Sequence, residues 1–184
     1  MADIDRESWQ SSTNHTQFDL AGRRASKTQH DNAKDLHVSQ PILILNGPNL
    51  NRLGKREPHI YGSTSLNDVE QICRERAEKR GHAISFHQSN REYEIIDWIH
   101  DGIDNASGII INPAALTHTS VAILDALNMF DKPIIELHIS NPHKREAFRH
   151  VSYVTYAATG MICGLGVNGY PVAVDAMIDM LEAG

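Results

Sequence analysis

Three short apolar runs, each ending on a side chain that can do chemistry, constrain this chain more than any other feature. They are Ile42-Leu43-Ile44-Leu45 ending at Asn46, Ile109-Ile110-Ile111 ending at Asn112, and Ile134-Ile135-Glu136-Leu137 ending at His138. Runs this short, branched and nearly unbroken read as strands buried on both faces, as in a parallel sheet covered by helices. In such sheets ligands bind beyond the carboxyl ends of the strands. Two amides and an imidazole are therefore expected along one edge, where a small polar substrate would sit.

The rest of the chain supplies what such a sheet needs. Strands are predicted over 41–46, 82–88, 108–112, 133–138 and 153–155. Helices are predicted over 66–80, 92–105, 119–131 and 169–181, with one or two turns over 144–149. Ser65 and Asp68 form a capping-box pattern, Leu66, Val69, Ile72, Cys73 and Ala77 an apolar face, and Gly81 a stop. Tyr93, Ile96, Ile99 and Ile103 share one side of the next helix, and Val121, Leu124, Ala126 and Leu127 mark the third. Thr119 or Ser120 is its expected cap. Alternating strands and helices give an α/β fold, a flavodoxin-like three-layer sandwich with a five-stranded parallel sheet in the order 2-1-3-4-5. Asn46 and Asn112 then end neighbouring strands, with His138 ending the next one along.

With 184 residues and 41% hydrophobic content, the chain has room for one domain and a tail. Residues 1–40 are polar and without clear period, so they are expected to be a disordered extension, and 41–184 the domain. Asp3, Asp5, Glu7 and Asp19 count against a transit peptide. A net charge of −6 argues against a nucleic-acid surface. No apolar run approaches the ~20 residues of a membrane span, and the amino terminus lacks a hydrophobic signal core. The two cysteines, Cys73 and Cys163, are read as reduced thiols of a cytoplasmic protein.

Three clusters carry candidate chemistry. The first is the loop over 47–64, long enough for a functional lid. It places Arg52, Lys55 and Arg56 a few residues before Tyr61. A tyrosine acts as a base only if its pKa falls by about three units, or ~4 kcal/mol. One arginine at ~4 Å supplies about that much at an effective dielectric near 20. A solvated basic loop with an anchoring aromatic is the plainer reading. The second cluster runs from Asn112 to Ser120. Its small residues let backbone approach a ligand, with Asn112 and His118 binding hydroxyls; alternatively it is a strand exit and helix cap, with Asp125 facing solvent or an interface. The third runs from His138 to His143 and on to Lys144, Arg145 and Arg149. An imidazole at a strand end before an arginine suits proton donation beside an anion site; a polar turn before a basic helix is the alternative. Glu136 is placed to orient His138 or, read as opposite-facing by strand alternation, to face a helix.

Two patterns mislead. Gly164-Leu165-Gly166-Val167-Asn168-Gly169 has the glycine spacing of a dinucleotide loop, but only fifteen residues follow, too few for the next strand and its acidic residue. Tight backbone packing is expected instead. Despite eleven histidines, no His-x-x-x-His helix or Cys/His quartet with zinc spacing occurs, so no metal is expected.

Over residues 42–182 the chain closely resembles type II 3-dehydroquinate dehydratase. The resemblance is carried by ILNGPNLNRLGKREPHIYG, QSNREYEIIDWIH, INPAALTHTSVAILDA, IIELHISNPHKREAFRHVSY and ATGMICGLGVNGY, in matching order and spacing. It implies a lyase that dehydrates 3-dehydroquinate to 3-dehydroshikimate in the shikimate pathway, by anti elimination through an enolate, without a cofactor. The same step also serves quinate breakdown. On matched positions, Tyr61 is the general base and Arg56 holds it anionic. Arg52 lies on the same loop. Asn49 positions a water on the enolate oxygen, and His138 is the general acid, polarised by Glu136. Asn112, His118, Arg149 and the backbone of Ile139 and Ser140 bind substrate. Asp125 reaches the site of an adjacent subunit in a dodecamer built from trimers. Thr155-Tyr156 stands where the family often has Ser-Pro, and Cys163 where it usually has a small residue.

Other chemistries fit less well. A receiver module needs acidic residues after the first strand and an aspartate ending the third, where this chain has Asn46 and Asn112. A flavin-binding module would betray itself by visible absorbance. A serine hydrolase built on Ser120, His118 and Asp125 lacks a nucleophile elbow. A Schiff-base dehydratase needs a buried lysine, and the lysines here lie in polar or helix-end contexts.

Overall fold

The computed structural model describes residues 40–54 and 64–183. Five parallel strands form one sheet: β1 (Ile42–Asn46), β2 (Ile84–Gln88), β3 (Gly108–Asn112), β4 (Ile134–His138) and β5 (Gly160–Cys163). Their order is β2-β1-β3-β4-β5, as the sequence predicts. The direction in which successive strands are added to the sheet reverses between β1 and β3, which pair in parallel with Asn46 opposite Asn112 in register. That crevice is the switch point at which open α/β sheets bind ligands.

Helices α1 (Leu66–Glu78) and α4 (Gly169–Ala183) cover one face of the sheet, and α2 (Glu92–Asn105) and α3 (Val121–Leu127) the other. Alternate residues of each strand feed the two cores. Ile42, Ile44, Ile110, Ile135 and Leu137 pack with Val69, Cys73, Ala173, Val174 and Met177. Leu43, Leu45, Ile109, Ile111 and Ile134 pack with Ile95, Ile99, Ile123 and Leu127. Burial on both faces is why these strands read as continuous apolar runs.

The local signals act as expected at α1. Ser65 Oγ accepts from the Asp68 N–H at 3.2 Å, and the Asp68 side chain accepts from the Ser65 N–H at 2.8 Å. Gly81 closes the turn with φ of 77°, a value that favours glycine. Ser120 is the cap of α3, accepting from the Ile123 N–H at 2.9 Å. In the glycine-rich stretch, Gly164 and Gly166 take φ of 82° and 63°, and a Cβ on Gly169 would lie 3.0 Å from the Leu137 side chain. These glycines serve turns and packing.

Several expectations are corrected. The fifth strand is Gly160–Cys163, and Val154–Tyr156 is a short 3-10 turn. The Tyr153 N–H donates to the Thr117 carbonyl, which anchors this segment beside the turn after β3, off the sheet. The buried stripe of α2 is Ile95, Ile99 and Gly102, and Tyr93 is exposed. Ile72 on α1 and Val121 on α3 are exposed as well. Helix α3 ends at Leu127, short of 131: Phe130 turns into the core, and Pro133 disfavours helix at the residue before it. The turns near 144–149 are two 3-10 segments, Pro142–Lys144 and Ala147–His150.

Gly47 ties the two exit loops of the switch point together. Its N–H donates to the Asn112 carbonyl at 2.8 Å. A Cβ there would lie 2.4 Å from the Pro113 carbonyl oxygen and 2.6 Å from its carbon. Backbone cannot swing aside as a side chain can. Gly47→Ala is therefore expected to destabilise the fold by about 1–3 kcal/mol in chemical denaturation. Gly160→Ala, where a Cβ meets nothing within 4 Å, is the control expected to stay within about 1 kcal/mol of the parent protein.

Candidate active site

A cavity of about 280 Å³ opens at the switch point. The turn after β1 supplies Asn49 and Arg52, the end of β3 supplies Asn112, and the following turn supplies His118. His138, Ile139 and Ser140 come from the end of β4, and Arg145 and Arg149 from the segment beyond it. Its lining carries three arginines and two histidines and, among the described residues, no carboxylate. Such a lining suits an anionic ligand with hydroxyl groups.

Backbone strain is concentrated here. Asn49 adopts φ of 70° and Ala114 φ of 52°, both in the left-handed region. For a non-glycine residue that conformation costs about 1–2 kcal/mol, and such strain tends to gather at ligand sites. Asn49 is held by donating its N–H to Asn90 Oδ1 at 2.8 Å, with Gln88 Nε2 steadying the same oxygen at 3.2 Å. Ala114 donates its N–H to Asn112 Oδ1 at 3.3 Å. The small residues after β3 do bring backbone to the cavity wall.

Beneath the two amides lies a residue that sequence reasoning missed. Tyr170, fully buried on α4, donates its hydroxyl to Asn46 Oδ1 at 2.6 Å and accepts from Asn112 Nδ2 at 3.0 Å. Asn46 Nδ2 donates to the His87 carbonyl at 3.0 Å. Burial pushes the Tyr170 phenol well above its ordinary range, so it stays protonated and can donate. Asn46 is therefore a brace and Asn112 a braced cavity residue. A tyrosine on an otherwise apolar helix face was the available signal, since a buried hydroxyl needs a partner.

His138 is 8% exposed, and its Nε2 lies 2.7 Å from Glu136 Oε1. Of the two orientations open for Glu136, the one toward His138 is found and the helix-facing one is corrected: residues two apart on a strand share a face. Burial alone would raise the Glu136 pKa, but hydrogen bonds from His138, Thr117 and Thr155 and the His138 charge lower it from 4.5 to about 2. An ionised carboxylate only accepts, so Nε2 carries the proton of that contact. Nδ1 is the ring atom left for a second, transferable proton.

His118 donates through Nδ1 to the Val151 carbonyl at 2.7 Å, which leaves Nε2 as its other polar atom. Arg149 donates Nε to Glu146 at 2.9 Å. Asp125 sits exposed on α3 and does not line the cavity of its own chain. Tyr61 and Arg56 lie outside the described residues. Cys73 is buried, and burial, reinforced by Glu70, pushes its thiol up to about 12; both cysteines are unpaired.

Two outcomes follow from this geometry. Tyr170→Phe leaves two buried amide groups without their partner and is expected to lose about 1–3 kcal/mol of stability, measured by urea denaturation. Glu136 has a folded pKa below its unfolded value, so its ionised form stabilises the fold above the ordinary carboxyl range. That contribution is lost as pH falls from 4.5 toward 2. Glu136→Gln should flatten the stability-versus-pH curve over that window, whereas a curve parallel to the parent protein's would contradict the assignment.

Comparison with known proteins places the chain among relatives of one family. The family described as Dehydroquinase class II matches residues 40–178. A 3-dehydroquinate dehydratase 2 of Agrobacterium fabrum is 62% identical over 139 residues, covering 76% of this chain and 95% of that protein. A 3-dehydroquinate dehydratase of Streptomyces avermitilis is 56% identical over 148 residues, covering 80% and 93%. The crystal structure of type II dehydroquinase from Propionibacterium acnes superposes with a TM-score of 0.74 at 44% identity, covering 78% of this chain and 99% of that one.

Proposed function

This chain belongs to the Dehydroquinase class II family, and from that premise we propose how it dehydrates 3-dehydroquinate to 3-dehydroshikimate. The observation that carries the reading is His138: a buried imidazole, backed through Nε2 by an ionised carboxylate, opening onto an arginine-lined cavity beside Asn112 and His118. We place the step in the shikimate pathway rather than in quinate breakdown.

Tyr61, as phenolate held by Arg56, removes the proton alpha to the ketone. Electrons move onto the carbonyl oxygen, and a water positioned by Asn49 hydrogen-bonds the enolate, an oxyanion-hole arrangement. Collapse of the enolate expels the hydroxyl at the neighbouring carbon as His138 delivers its Nδ1 proton. Glu136 stabilises the imidazolium before transfer. The substrate carboxylate sits at the Ile139 and Ser140 amides, and Asn112, His118 and Arg149 take the ring hydroxyls. Arg52 lines the same cavity. The chemistry assigned to these residues requires no cofactor or metal.

The remaining assignments belong to the same proposal. Residues 41–184 are the catalytic domain; the polar extension expected over 1–40 lies, up to residue 39, outside the described residues. Asp125, exposed on α3 near exposed Val121 and Met129, reaches a neighbouring subunit's site in a homododecamer of trimers. The enzyme is cytoplasmic and takes neither nucleic acid nor membrane as partner. Among the described residues, no helix is long and apolar enough to cross a membrane.

Formation of the enone from 3-dehydroquinate, followed by ultraviolet absorbance, tests the reading. Tyr61→Phe and His138→Asn are each expected to lower kcat by about 10²–10⁴-fold while the fold persists by circular dichroism. A Tyr61→Phe variant with most of its rate would remove the base assignment. Borohydride with substrate is expected to leave activity intact; a covalent adduct with inactivation would indicate an imine mechanism instead.

A further inference from the structure

Glu136 has more partners than His138. Thr117 Oγ1 donates to its Oε1 at 2.6 Å, Ser152 Oγ donates to the same oxygen at 2.7 Å, and the Thr155 hydroxyl donates to Oε2. The three hydroxyls come from the turn after β3, the loop beyond the Ala147–His150 turn, and the Val154–Tyr156 turn. They are tied to each other as well. Thr117 and Ser152 oxygens lie 2.7 Å apart, the Thr155 N–H donates to Ser152 Oγ at 3.1 Å, and the Tyr153 N–H donates to the Thr117 carbonyl at 2.8 Å. The segment over 152–155 is thus folded around one carboxylate.

Resting on the dehydratase reading, we propose that Thr117, Ser152 and Thr155 are positioning residues of the reaction. Their hydroxyls keep Glu136 ionised and oriented, so that the proton of the Glu136–His138 pair resides on the imidazole.

The argument is one of proton placement. In a buried carboxyl–imidazole pair the proton can sit on either partner, and burial favours the neutral pair. A general acid at His138 needs the other arrangement. Hydroxyl donors stabilise a carboxylate, which accepts at both oxygens, more than a carboxylic acid, which must spend one oxygen as a donor. Among the described residues, His138 is the one charged group within hydrogen-bond distance of Glu136. His118, His143, Arg149, His150 and Tyr156 share a second cavity with His138, and Arg52 and Arg145 face it across the first. None of these hydrogen-bonds the carboxylate, so its ionisation depends on the hydroxyls and on His138. This gives a physical reason for a hydroxyl to stand at Thr155, where the neighbouring Tyr156 departs more from the family pattern.

The test uses the full chain with ¹³C-labelled glutamate carboxyls. Thr155 is exposed, so its replacement leaves the core unchanged. In the parent protein the Glu136 carboxyl is expected to stay ionised from pH 4 to 8, consistent with its lowered pKa. In Thr155→Val its titration midpoint is expected to rise by about one unit or more. A midpoint moved from about 2 to about 3 leaves Glu136 ionised at neutral pH, so the titration reads the charge of the pair, and the loss of kcat, about tenfold with KM nearly unmoved, reads its orientation. Thr155→Ser should restore both readouts; Ser152→Ala supplies an independent variant expected to behave like Thr155→Val. A loss of kcat without a shift in the carboxyl titration, a shift without a loss of kcat, or Thr155→Ser behaving like Thr155→Val would each overturn the proposal. The titration needs no substrate. If the midpoint shifts while the parent protein fails to dehydrate 3-dehydroquinate, the hydroxyl cradle stands and the dehydratase reading falls.

Discussion

An ionised carboxylate buried in an apolar strand is the constraint on which the rest of the site depends. Glu136 is 0% exposed, and an unpaired charge there would cost several kcal/mol. The fold meets that cost locally. His138 shares its strand face, Thr117 approaches from the turn after β3, and Ser152 and Thr155 close over it. The carboxylate in turn fixes which imidazole nitrogen is free. The long excursion between β4 and β5 has a structural task as well as a binding one, since it brings Arg149 to the cavity and the Ser152 and Thr155 hydroxyls to Glu136.

The same logic holds one strand over. Asn46 and Asn112 are buried polar ends of adjacent strands, and one tyrosine hydroxyl from α4 satisfies both. Buried amides need partners, and this one brace sets the side chain of Asn112 at the cavity. A helix on the far face of the sheet thereby holds a side chain at the proposed substrate site.

The central strands were legible because they are buried on both faces, so composition alone marked β1, β3 and β4. Helix α1 was legible from its cap and its glycine stop. Edge strand β5 was not: it begins with Gly160, exposes Met161 and carries no apolar run. Tyr153-Val154-Thr155 imitated a strand because Val154 is buried, though within a turn held by Thr117. At the site, the cavity residues could be named from the strand ends and from family motifs. Their supports could not. Thr117, Ser152, Thr155 and Tyr170 act across 16 to 124 positions of sequence, and no local pattern records such contacts. For Glu136 the sequence left two orientations open; the helix-facing one rested on a miscount of strand alternation, and the pairing with His138 is the one found.

The proposed site has two halves: the strand edge fixes the acid and the binding groups, and the loop after β1 carries the base. The proposed mechanism, with acid and base acting from opposite sides of the ring, is an anti elimination. The most direct measurement is therefore dehydration of 3-dehydroquinate stereospecifically deuterated at the carbon alpha to the ketone, with mass analysis of the product. The account predicts loss of the hydrogen anti to the departing hydroxyl and retention of the other. Loss of the syn hydrogen would contradict it.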